Sequence, residues 1–124
     1  MEENKPTFKS IRTFIGSVNF QISQSFYKDL GFEERIISEK MSLFITNGIS
    51  FYLQDYYVKE WLENTMVLLE VDSVNNFYKH LQELELDKKY QNIKVIPVRQ
   101  NDWGNECMLI DPSGVLWHFA EFKS

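Results

Sequence analysis

An internal repeat constrains this chain more than any other feature. Phe26-Tyr27-Lys28-Asp29-Leu30 recurs as Phe77-Tyr78-Lys79-His80-Leu81. Both copies read as helix. In the first, Ile22, Phe26 and Leu30 fall at i, i+4 and i+8 on one face. Gly31 follows, where a helix commonly ends in a left-handed residue. In the second, Val74, Phe77, Tyr78, Leu81 and Leu84 obey the same spacing, with Asp72 or Ser73 as the cap. The flanks repeat as well. Ile11–Ile15 reads as a strand before the first helix, and Arg35–Ile37, Met41–Thr46 and Ile49–Gln54 as strands after it. Thr65–Val71 precedes the second helix, and Ile93–Val98, Cys107–Ile110 and Val115–Phe122 follow it. Asn47-Gly48 predicts a two-residue hairpin of type I′, which needs positive φ at both central residues. Asp111-Pro112-Ser113-Gly114 predicts the second tight turn, and Pro97 marks its strand as an edge or the site of a bulge.

Strand, helix and three strands, written twice, define an α+β chain of two βαβββ modules, at about residues 8–56 and 64–123. The joining stretch, 56–64, reads as a short helix or lid carrying Tyr56, Tyr57 and Trp61. A module of this kind buries only the side of its sheet that meets the helix. Set edge to edge, two modules form a curved mixed sheet whose uncovered faces line a central cleft. The length, 124 residues, suits one domain. Thirteen Lys and Arg against 18 Asp and Glu give a net charge of -5, which argues against a general nucleic-acid binder and suits a small cationic partner. Ten Phe, six Tyr and three Trp suggest an aromatic-lined pocket. The single cysteine, Cys107, excludes an intrachain disulfide and any CxxC site. With neither a membrane-length apolar run nor a signal-peptide core, the expected location is the cytoplasm.

Three segments in order then resemble the vicinal oxygen chelate superfamily, which includes glyoxalase I, extradiol dioxygenases, fosfomycin-modifying enzymes and bleomycin resistance proteins. They are Ser25-Phe26-Tyr27-Lys28-Asp29-Leu30-Gly31-Phe32, Leu69-Glu70-Val71-Asp72-Ser73-Val74 and Asp111-Pro112-Ser113-Gly114-Val115-Leu116. Trp103-Gly104, Met108 to Gly114 and Trp117-His118-Phe119 resemble the C-terminal end of the bleomycin resistance branch. The resemblance implies a glyoxalase-like fold and, in the enzymes, a divalent metal held by four trough side chains. The matching positions here carry Arg12, the strand Ile49–Gln54 with Phe51 and Gln54 but no carboxylate or imidazole, Met66, and His118. One plausible ligand of four does not hold a hard metal, so neither a metal nor another cofactor is expected.

The expected ligand contacts are Trp103, His118, Arg12, Phe51, Met66, Trp61 and Asp102. Trp103, in the polar run Asn101-Asp102-Trp103-Gly104-Asn105, suits stacking and cation–π contact with a flat cation; the same indole would equally cover a subunit interface. Alternation sends Trp117 and Phe119 toward a helix and His118 toward the trough. There His118 is a structural hydrogen-bonder or a ligand contact, with no nucleophile beside it and no catalytic role expected. Arg12 fits an anion clamp or a salt bridge, His80 a solvated surface position, and Cys107 a buried inert thiol. The resemblance thus implies a homodimeric binding protein that sequesters a cationic aromatic glycopeptide antibiotic without altering it. Two alternatives stay open: a metal-dependent lyase or isomerase of the glyoxalase type, and a binding module for another small molecule.

Overall fold

The computed structural model describes residues 5–123. The element order is β1 (Phe14–Ile15), α1 (Phe20–Leu30), β2 (Glu33–Ser38), β3 (Met41–Thr46), β4 (Ile49–Gln54), α2 (Lys59–Glu63), β5 (Met66–Glu70), α3 (Val74–Leu84), α4 (Leu86–Lys89), β6 (Lys94–Asn101), β7 (Gly104–Ile110) and β8 (Leu116–Phe122). They build two four-stranded sheets of one topology, β1-β4-β3-β2 and β5-β8-β7-β6. In each, the first strand runs parallel to the last and the other pairs are antiparallel. The repeat in the sequence is therefore a repeat of architecture. No helix among the described residues is long and apolar enough to cross a membrane.

Local chemistry accounts for the boundaries. The Asn19 side chain accepts the Ile22 N–H and opens α1, and Gly31, at φ 122°, closes it. Ser73, rather than Asp72, caps α3 by accepting the Asn76 N–H. Asn47 and Gly48, at φ 48° and 80°, make the expected hairpin turn. Register shifts between Ile96 and Arg99, and β6 lies at a sheet edge, so Pro97 costs no interior ladder bond. The first strand is shorter than expected. Residues 11–13 run outside it because the parallel pairing covers only Phe14↔Tyr52 and Ile15↔Leu53.

The two copies of the repeat are not buried equally. Phe26 and Tyr27 are fully buried, whereas Phe77 and Tyr78 are only partly buried beside the core. The reason is an asymmetry of cover. The turn between β7 and β8 folds over α1, where the Ser113 hydroxyl accepts the Val18 N–H at 2.9 Å. Among the described residues no hydrogen bond ties the equivalent turn, Asn47-Gly48, to α3, whose buried residues are Val74 and Leu81, and Phe77 packs on Phe119 at 4.3 Å beside open space. Ile22 also departs from expectation. It is 44% exposed, and the inward positions of that turn go to Phe20 and Ser23.

Between the modules the core is tied by polar atoms. The Tyr27 hydroxyl, from α1, donates to Asp111 at 2.5 Å and accepts the Trp117 indole N–H at 2.9 Å. The other Asp111 oxygen accepts the backbone N–H of Ser113 and of Val115, which shapes the turn. Burial pushes the Asp111 carboxyl above its ordinary range even though these donors pull it down, and burial with the neighbouring carboxylate raises Tyr27 well above its own.

Candidate functional site

Period-two alternation gives each sheet a face toward the helices and an uncovered face. In the second module Val67, Leu69, Cys107, Leu109, Trp117 and Phe119 point to the core. Met66, Leu68, Glu106, Met108, Leu116 and His118 therefore share the opposite face, as the register across β5, β8 and β7 requires. In the first module Phe14 and Tyr52 stack at 4.9 Å on the face opposite Ile15 and Leu53. Much of this surface is apolar and open: Phe14 is 55% exposed, Leu68 53% and Met66 66%.

Three cavities bear on function. A groove of about 490 Å³ follows the seam between the modules, with Arg12 and Thr13 on one wall, Leu68 on the other, and Phe51 and Trp117 at its floor. A wider cavity of about 840 Å³ shares Phe32, Ile49, Leu68 and Leu69 with that groove and ends at the acids Glu70 and Asp72. A third, about 490 Å³, lies under α2 and is walled by Trp61, Tyr56, Phe14 and Lys40. Here Trp61 packs on Tyr56 at 5.8 Å.

The expected site residues fall in separate places. Arg12 and Phe51 line the seam groove, but Phe51 does so from the core, 3% exposed and packed on Tyr27, Phe32, Phe44 and Trp117. The Arg12 guanidinium donates to the Tyr52 hydroxyl at 2.9 Å and, among the described residues, pairs with no carboxylate. Met66 and His118 share the uncovered face of the second sheet. Trp61 belongs to the cavity under α2. Trp103, 41% exposed, packs on Phe122 at 5.3 Å, and Asp102 is exposed beside it. Phe122 stands four residues beyond His118 on β8, about 13 Å along the strand. Gly104, at φ 149°, lets this turn close, because a Cβ there would collide with the Glu121 carbonyl.

The sequence reading missed Glu106. Its carboxylate lies 3.6 Å from His118 Nδ1, both half-buried. The signal was present in the alternation of β7, but it pairs with His118 only once the register is known. The residues present do not fit the divalent metal of the superfamily's enzymes. Arg12 brings a cation and Met66 a thioether, and among the described residues no three His, Cys, Asp or Glu side chains converge. Cys107 offers no nucleophile. It is fully buried on the core face, where burial, helped by the Glu106 charge, pushes its thiol up to about 11. At pH 8 on the order of one such thiol in a thousand is ionised. Iodoacetamide should therefore modify the native chain at least about 100-fold more slowly than the urea-unfolded chain, and equal rates would show Cys107 to be accessible.

This architecture defines the class to which the fold belongs, that of the glyoxalase and bleomycin resistance proteins, and it is the fold the sequence resemblance implies. Among solved structures, the bleomycin-binding protein of Streptomyces verticillus, complexed with copper(II)-bleomycin, superposes with a TM-score of 0.80 at 18% identity, over 96% of this chain and 100% of that one. The bleomycin resistance determinant encoded on transposon Tn5 gives 0.79 at 15%, over 94% and 100%. Lactoylglutathione lyase from Agrobacterium tumefaciens gives 0.70 at 15%, over 95% and 100%. No family model and no curated protein sequence matches the chain.

Proposed function

We propose that this protein binds a cationic, aromatic antibiotic of the bleomycin type and holds it unmodified in a cleft completed by a second copy of the chain. The observation that carries the reading is the open apolar face of the paired sheets, where Phe14, Leu68, Met66 and, at its end, Trp103 keep 41–66% of their surface in water. Large exposed patches of this kind mark ligand or subunit contacts. The fold is shared with proteins whose structures contain bleomycin, which supplies the ligand class. Two further features support it. Exposed Asp102 and the overall charge of -5 favour a cation, and the donor set is poor for the metal chemistry of the fold's enzymes. The distance between Trp103 and the seam within one chain is the argument for a dimer, in which a partner's surface would bring the two together.

Titration with a metal-free bithiazole drug tests this. Tryptophan emission should be quenched, and Trp103→Ala should weaken binding by about 1–3 kcal/mol, one stacked aromatic with its cation–π contact. The drug should be recovered unchanged, and sedimentation at micromolar concentration should give two chains per particle. No quenching at high micromolar drug would overturn the reading. A chemically altered drug would favour a lyase or isomerase instead.

A further inference from the structure

The uncovered face of the second sheet carries an unusual donor set. Register places Met108, His118 and Leu68 in one row across β7, β8 and β5, and Met66 one row away, beside Leu116. Two thioethers thus flank one imidazole on three neighbouring strands. Across the antiparallel β7–β8 pair Met108 and His118 stand directly opposite, with Cβ atoms about 4.5–5.5 Å apart, and Met66 lies diagonally across the parallel β5–β8 pair. Methionine, unbranched and with three rotatable bonds, has the reach to turn its sulfur toward the ring from either flanking strand.

We propose that Met66, Met108 and His118 form a binding site for a soft monovalent metal ion of the Cu(I) type. Thioether and imidazole donors select Cu(I) over Zn, Mn or Mg, which is the opposite of the preference of the fold's metalloenzymes. Glu106 supports the histidine. Its carboxylate, 3.6 Å from Nδ1, sets a negative charge beside a bound cation and leaves Nε2 as the nitrogen free to meet a metal. The ion can arrive from solvent, since Met66 is 66% exposed and Met108 and His118 are half-buried. Cys107, a stronger soft donor, is fully buried on the opposite face. The site does not depend on the drug reading, and the metal alone is its probe.

The test is anaerobic titration of the full chain with Cu(I) against a chromogenic Cu(I) chelator, repeated with Ag(I) by calorimetry. One ion per chain is expected, with Zn(II) and Mn(II) lost on desalting. The methyl signals of Met66 and Met108 should shift on binding while that of Met41 stays in place. The Met66→Leu/Met108→Leu variant, a swap that preserves volume, should bind at least tenfold more weakly with an unchanged far-UV spectrum, and Cys107→Ser should bind as the parent does. Failure to bind one ion per chain, undiminished affinity in the double leucine variant, or loss of binding in Cys107→Ser would each overturn the site. Met66 also belongs to the face proposed for the drug, but each of these outcomes is read with the metal alone, so a failed metal site leaves the quenching test of the drug reading standing.

Discussion

Truncating Phe26 to Ala is expected to lower the free energy of unfolding by about 3–5 kcal/mol. The side chain is fully buried, packed edge-on against Tyr27 at 5.2 Å and Tyr90 at 5.3 Å. Both neighbours are held by their own hydrogen bonds, Tyr27 to Asp111 and Tyr90 to Asp29, so the surroundings collapse poorly into the space left behind. Phe77→Ala, at the equivalent place in the repeat, should cost only about 1–2 kcal/mol, because part of its ring already meets water. Urea unfolding checks both: the midpoints should separate while the slopes stay alike. Equal losses would mean that the turn over α1 does not make the two modules unequal.

Asp111→Ala should be comparably severe, about 3–5 kcal/mol, since it leaves the Ser113 and Val115 N–H groups and the Tyr27 hydroxyl without their buried acceptor. Asp111→Asn keeps one acceptor oxygen and should lose less. The pair also carries a pH signature. Because burial raises the folded-state pKa of Asp111, its protonated form is favoured on folding. The resulting stabilisation is fully present below the ordinary carboxylate pKa of about 3.9 and is lost as pH rises through the raised folded value. The parent should therefore gain on Asp111→Asn as pH falls toward that range. A difference between the two that is flat with pH would remove the raised pKa from the account.

Which parts of the site could be read in advance follows from the range of the interactions involved. The hairpin at Asn47-Gly48, the caps around the helices and the bulge near Pro97 depend on residues within a few positions of one another, so they stand in the sequence. The direction of His118, away from Trp117 and Phe119, was legible for the same reason: alternation is local. Phe51 was not. Its strand was identified, but which side of it met the core depended on where α1 would sit, and the ring turned inward among four other aromatic residues.

The sequence by itself determined the repeated strand–helix–three-strand order, because each element is specified by periodicity and turn chemistry inside its own segment. Only the tertiary structure decided that Glu106 and Met108 stand beside His118, that Arg12 bonds Tyr52 rather than a carboxylate, and that Trp103 lies at the far end of the second sheet from the seam. Those relations depend on strand register and on the docking of one module against the other. Register across β7 and β8 is fixed by the geometry of the turn at 111–114, and the docking of the modules by buried contacts such as those of Tyr27 with Asp111 and Trp117, 84 and 90 positions away, which no local pattern encodes.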